Sequence, residues 1–181
     1  RNACKPGDII LTTGIHGLSK LGFLIQNKIN FDNEFSLNER LIIKSIEHFC
    51  RPRVYPNFLN NLLKTRSNKN IRRIGCTDSS DGLFQALQDL AIASNCKAII
   101  NYEKIPKDKD WPKGDKWDEY YFFGGEDYEL VFSLPKKWAK NLSKLDKNIN
   151  EIGFFTDGEP SIEFKDNKKN KLFNNTPFKH F

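Results

Sequence analysis

An apolar segment containing Ile71 and Ile74 runs into Cys76-Thr77-Asp78-Ser79-Ser80-Asp81-Gly82-Leu83, and from there into a helical repeat with Leu83, Leu87, Leu90 and Ser94 on one face. The hydrophobic period changes from that of a strand to that of a helix across these eight residues. Any fold for this chain must therefore hold two carboxylates and two hydroxyls at a strand-to-helix turn. Such a turn gathers free backbone N–H groups and the positive end of a helix dipole. One use of the residues is local: Ser80 or Asp81 as an N-cap, with Gly82 giving the turn its freedom. The other is chemical. Asp78 and Asp81 side by side suit a hard divalent cation, and Mg²⁺ takes one or two carboxylates together with phosphate oxygens.

The 181 residues suffice for one domain with a real core, and 15 Phe, 5 Tyr and 3 Trp supply bulky apolar groups. Lys and Arg number 29 against 23 Asp and Glu, a net charge of +6, yet the lysines are spread over loops and the C-terminal third. A nucleic-acid partner calls for a clustered basic face, so none is expected; small polyanions such as nucleotides remain compatible. Cys4, Cys50, Cys76 and Cys96 show no CxxC spacing, nothing at the start resembles a signal peptide, and no apolar run approaches the ~18 residues of a membrane span. The expectation is a cytoplasmic protein with four free thiols. The chain starts at Arg1 and contains no methionine, which reads as a piece of a longer reading frame.

In chain order, Ile9–Thr13 reads as a buried strand, Gly14-Ile15-His16-Gly17 as a glycine turn, and Leu18, Leu21, Leu24 and Ile25 as a helix. Ser36-Leu37-Asn38-Glu39 has capping-box spacing ahead of a helix through Leu41, Ile42, Ile46 and Phe49. Arg51-Pro52-Arg53 ends that helix, and its two cations either hold a phosphate or simply face solvent. A short helix over Phe58–Leu63 follows. After the central helix come a strand at Ala98–Tyr102, a polar loop from Lys104 to Lys116 flanked by Trp111 and Trp117, and a strand ending at Pro135. Lys136–Leu145 reads as an amphipathic helix, Ile149–Phe155 as a strand, and Ser161–Phe164 as its hairpin partner. Between the loop and the strand lies Gly124-Gly125-Glu126-Asp127-Tyr128-Glu129-Leu130, where glycines let backbone approach a ligand closely. Alternation there turns at least one of Tyr128 and Glu129 inward.

Taken together, Gly7-Asp8…Thr13-Gly14, Asp78-x-Ser80-Asp81-Gly82-Leu83, Gly124-Gly125-Glu126-Asp127-Tyr128-Glu129-Leu130, Ile152-Gly153 and Phe178-x-His180-Phe181 resemble the C-terminal half of the thiamine-monophosphate kinase family, within the aminoimidazole ribonucleotide synthetase-related superfamily. The resemblance covers essentially the whole chain. It implies one mixed α/β domain over 1–181, an α+β sandwich with a largely antiparallel sheet covered by helices, and an N-terminal ATP-binding domain outside this chain. It also implies transfer of the γ-phosphate of ATP to thiamine monophosphate in a Mg²⁺-dependent homodimer. Residue by residue, it makes Asp78 and Asp81 metal ligands, Ser80 and Arg1 ATP contacts, and Glu126 and Phe178 substrate contacts, with no catalytic group beyond the metal ligands. Without the N-terminal domain the chain is expected to be inactive. Two other readings stay open: another ATP-dependent enzyme of the superfamily, and a metabolite-binding or dimerisation module without catalysis.

Overall fold

The computed structural model describes residues 1–28, 37–53, 55–70 and 73–166. Six strands, β1 (Asp8–Thr13), β2 (Gly75–Asp78), β3 (Lys97–Ile100), β4 (Leu130–Pro135), β5 (Ile149–Thr156) and β6 (Ser161–Phe164), form one sheet in the order β2-β4-β1-β5-β3-β6. Four ladders are antiparallel, and the β3–β6 ladder is parallel. The expected mixed, largely antiparallel sheet is what forms.

Both faces of the sheet are covered, and the alternation of strand side chains dictates how. Ile10, Val131 and Ile152 face a core completed by α1 (Leu18–Gln26), α2 (Glu39–Cys50), α4 (Leu83–Ser94) and α5 (Asp115–Phe123). Leu11, Phe132, Leu134 and Ile149 face a smaller core, closed by α3 (Phe58–Thr65) and α6 (Lys136–Leu145). Trp138 is 2 % exposed there, and its indole N–H donates to the Leu62 carbonyl at 2.9 Å, so α6 is tied to α3 by a satisfied polar contact. Each fully buried large side chain contributes roughly 1.5–3 kcal/mol, which makes the larger core the main source of stability. Trp111 and Trp117 belong to it, meeting edge to face at 6.1 Å.

Several expectations need correcting. The strand entering the central turn is Gly75–Asp78, four residues further on than the segment with Ile71 and Ile74; Ile71 lies outside the described residues, and Ile74 packs against the smaller core. The strand's first residue must be glycine, because a Cβ on Gly75, opposite Ser133, would lie 2.3 Å from Cys4 Sγ. Ser161–Phe164 is not the hairpin partner of β5. Strand β5 is already bonded on both sides by β1 and β3, so β6 passes over it to the free edge of β3. The cap of α2 is Asn38, whose Oδ1 accepts from the Arg40 N–H at 2.9 Å, while Ser36 is outside the described residues. Neither Ser80 nor Asp81 caps α4: the N-cap is Gly82, with no side-chain bond. Helix α5 was not anticipated at all.

Candidate functional site

One end of the sheet, where β2 finishes and β4 begins, brings the two acidic motifs together. Asp78 is the last residue of β2, paired with Leu130 at the start of β4. Past the strands the chains remain clipped: the Glu129 carbonyl accepts from the Ser79 N–H at 2.9 Å, the Ser80 carbonyl from the Glu126 N–H at 2.8 Å, and Ser79 Oγ from the Glu129 N–H at 3.1 Å. Gly125 is required for this approach, since a Cβ on it would lie 2.3 Å from the Ser80 carbonyl oxygen. Two motifs from distant parts of the chain thus become one rigid surface.

Within Gly124–Leu130 the side chains divide. Glu126 and Tyr128 take left-handed φ values of 69° and 53°, unusual for residues with a Cβ, and project toward solvent. The Tyr128 hydroxyl donates to Glu126 Oε2 at 2.6 Å. That bond, with the charges of Glu126, Asp78 and Asp81, raises the Tyr128 pKa, placing the phenol among three carboxylates. Asp127 and Glu129 are 1 % exposed and point inward. Neither Tyr128 nor Glu129 lies on the strand, which starts at Leu130.

The inward acids organise a buried polar layer. Asp127 accepts from the Gly17 N–H at 2.5 Å and the Ser19 N–H at 2.9 Å, capping α1, whose own N-cap glycine has no side chain to do so. Burial raises the Asp127 pKa to about 6, although these bonds pull it down. Glu129 accepts from Thr13 Oγ1 at 2.5 Å and from the Tyr55 hydroxyl at 3.0 Å. Burial works to raise its pKa, but His48, Thr13 and Tyr55 outweigh it and hold the carboxylate below the ordinary range. His48 sits between the acids, 3.7 Å from Asp127 and 3.6 Å from Glu129, with Ser19 Oγ at 3.1 Å. His16, wholly buried, contacts Thr12 Oγ1 at 2.7 Å, and desolvation lowers its pKa to about 4. Gly14 borders the same layer, where a Cβ would fall 1.9 Å from Glu129 Oε1.

The structure therefore unites Asp78, Ser80, Asp81 and Glu126. Asp78 is exposed and accepts a 3.2 Å hydrogen bond from Ser80 Oγ; Ser80, Asp81 and Glu126 are partly exposed. Arg1 is elsewhere: its guanidinium pairs with Asp89 at 2.5 Å, about 9 Å along α4 from Leu83 at 1.5 Å per residue. Phe178 lies outside the described residues. Among the described residues no group of three or more His, Cys, Asp or Glu is arranged to hold a metal. The solvent-accessible pair Asp78 and Asp81 would suit an ion that keeps water and phosphate oxygens in its shell, which is the habit of Mg²⁺. Sequence reasoning missed the buried layer: His16, His48 and Tyr55 stand far apart in the chain, and only the Gly-turn before α1 hinted at them.

A mixed six-stranded sheet with helices on both faces, and an acid-bearing rim braced by buried polar groups at one end, defines the molecule as an α+β domain. A family model for AIR synthase related protein, C-terminal domain, matches residues 5–165, and the chain belongs to that family. Thiamine-monophosphate kinase of Prochlorococcus marinus is 33 % identical over 181 residues, 100 % of this chain and 54 % of the relative. That of Buchnera aphidicola subsp. Schizaphis graminum is 32 % identical over 188 residues, with 100 % of this chain and 55 % of the relative covered. The chain thus spans about half the length of the curated relatives it matches. Among solved structures, AaThiL complexed with AMPPCP and TMP is 26 % identical, with a TM-score of 0.71 over 99 % of this chain and 53 % of that one. Among the described residues no helix is long and apolar enough to cross a membrane.

Proposed function

We propose that this chain is the C-terminal part of a cytoplasmic, homodimeric thiamine-monophosphate kinase, which phosphorylates thiamine monophosphate to thiamine diphosphate with ATP. One observation carries the reading: the Ser80 carbonyl to Glu126 N–H clip, which sets Asp78, Ser80, Asp81 and Glu126 on a single surface. Support comes also from relatives named for that activity and from a fold neighbour that binds AMPPCP and TMP.

In the reaction an oxygen of the acceptor phosphate forms a bond to the γ-phosphorus while the β–γ bridging bond breaks, and ADP leaves. Such transfers need alignment and charge neutralisation more than covalent help from the protein. Asp78 and Asp81 would hold Mg²⁺, which when bound supplies positive charge against the crowded phosphate oxygens. The Ser80 hydroxyl, free to rotate from Asp78, donates to an ATP phosphate oxygen. Glu126 attracts the cationic thiamine portion, and its left-handed backbone and the Tyr128 hydroxyl fix where its carboxylate stands. Arg1 as an ATP contact requires release from Asp89, and Phe178 is the aromatic face offered to a thiamine ring. A nucleic-acid partner has no place in this reading.

The test is thiamine diphosphate formation from ATP, Mg²⁺ and thiamine monophosphate, measured in the full-length protein carrying this chain. Asp78→Asn is expected to lower kcat at least 100-fold with an unchanged thermal midpoint. The 181-residue chain alone is expected to form no product. Full activity in the variant, or turnover by the isolated chain, would reject the assigned roles.

A further inference from the structure

Two strands across from the acidic rim, at the same end of the sheet, lies a pocket of the opposite charge. It has a volume of about 240 Å³ and is lined by Lys44, His48, Arg53, Tyr55, Lys147 and Asn150, among others, with no Asp or Glu among the described residues of its wall. Lys44 is partly neutralised, its ammonium pairing with Asp108 at 2.5 Å. Arg53 and Lys147 have no carboxylate partner among the described residues. Behind the wall, Glu129 is sealed by the Tyr55 and Thr13 hydroxyls and is 1 % exposed. Tyr55 itself stays a neutral phenol, because burial and the Glu129 charge both oppose its ionisation.

A concave wall with uncompensated cations and a hidden anion focuses positive potential. Arg53 follows Pro52, which restricts the backbone before it, and guanidinium groups match phosphate oxygens in paired donor geometry. The volume falls below the roughly 300–1,000 Å³ of sites for drug-sized ligands, so the pocket suits a phosphoryl group and not a whole nucleotide. A second hollow of about 460 Å³ adjoins it, sharing Arg53, Tyr55, Lys147 and Asn148 and adding Asn57, Phe58, Asn61 and Asp146, whose carboxylate accepts from the Asn61 amide at 3.1 Å. From this pairing we infer that the basic pocket between β1, α2 and β5 binds the phosphoryl group of a small phosphate monoester, whose uncharged body lies in the neighbouring hollow. The site is separate from the kinase assignment and does not depend on it.

Amide chemical shifts of the 181-residue chain, titrated with inorganic phosphate and with glucose 6-phosphate as probes against chloride of equal ionic strength, test this. Saturable shifts are expected at Gly14, Tyr55, Asn148 and Asn150, with the monoester saturating at several-fold lower concentration. Arg53→Ala with Lys147→Ala, both exposed side chains, should weaken binding at least tenfold, and Lys147→Glu should weaken it further. Equal affinity for the two probes would retain a phosphate pocket and reject the monoester. Shifts that never saturate, that survive in the double variant, or that centre on Ser80 and Glu126 would overturn the site altogether.

Discussion

Asp78 and Asp127 are the same residue type a short distance apart at one sheet end, yet they belong to different physical regimes. Asp78 stands in water, where a charge costs little and remains available for a ligand. Asp127 is buried, and its carboxylate is tolerated because two backbone N–H groups of α1 point at it. Glu126 and Glu129 repeat the contrast three residues apart. The outer acids are free to bind because the inner acids have fixed the backbone that carries them. Acidic motifs of this kind therefore cannot be read as ligand lists; burial divides them into those that hold the loop and those that face the solute.

The sharpest way to break this comparison is Asp127→Ala. It leaves the Gly17 and Ser19 N–H groups and His48 facing an empty space, so unfolding in urea should register a loss of about 3–5 kcal/mol. A loss as small as that of a surface change would erase the distinction. Next is pH. Folded Asp127 keeps its proton up to about pH 6, whereas an unfolded Asp releases it near 3.8, so its contribution to stability is present at low pH and lost as pH rises through 6. His16 has the opposite sign: it stays neutral in the fold down to about pH 4 but protonates at 6.5 when unfolded, so its contribution is lost as pH falls from 6.5 toward 4. The two nearly cancel between pH 4 and 6. In His16→Asn the Asp127 slope should emerge between pH 6 and about 4.5, with stability rising by roughly 2 kcal/mol at 1.36 kcal/mol per pKa unit, before Glu129, held below its ordinary range, begins to lose its own contribution at lower pH. A variant that loses stability across that window would contradict the assignment.

Gly125→Ala tests the clip itself. The added methyl meets the Ser80 carbonyl, and a loss of about 2 kcal/mol is expected in the same urea assay, together with weaker Mg²⁺-dependent turnover in the full-length protein. The smallest effect belongs to the exposed side. Tyr128→Phe removes only the hydrogen bond to Glu126, so stability should stay within about 0.5 kcal/mol, while KM for thiamine monophosphate rises severalfold. A large stability loss there would move Tyr128 into the buried class.

The sequence was most informative where local period and burial agree. Helix α6 was expected and found over Lys136–Leu145, and the central helix and β1 followed from their apolar spacing. Helix α5 escaped because its Asp, Lys and Glu content reads as loop; the signal that was present, Trp117, Tyr121 and Phe122 on one face, is weak across nine residues. The partner of β6 was not readable either, since a local turn favours a hairpin and only the occupancy of both β5 edges excludes it. The outer acids were legible from motif chemistry. Of the inner ones, Glu129 was one of two residues of which at least one was expected to turn inward, and it does; the role of Asp127 was not readable, because capping α1 from 108 or more positions away leaves no local pattern.

The strand order has a temporal consequence. Every ladder joins one of the first three strands to one of the last three: β1 to β4 and β5, β2 to β4, β3 to β5 and β6. During synthesis, then, β1, β2 and β3 emerge with no strand to pair with until residue 130 has left the ribosome. From Ile9 to its partners Leu134 and Phe154 the separations are 134 − 9 = 125 and 154 − 9 = 145 residues. Loops of that size close slowly, and apolar strands waiting for them are exposed to misassociation. The two halves of the sheet interleave like the teeth of a zipper, so a ribosome stalled before β4 holds helices and unpaired strands, and the acidic site exists only once the second half has threaded into the first.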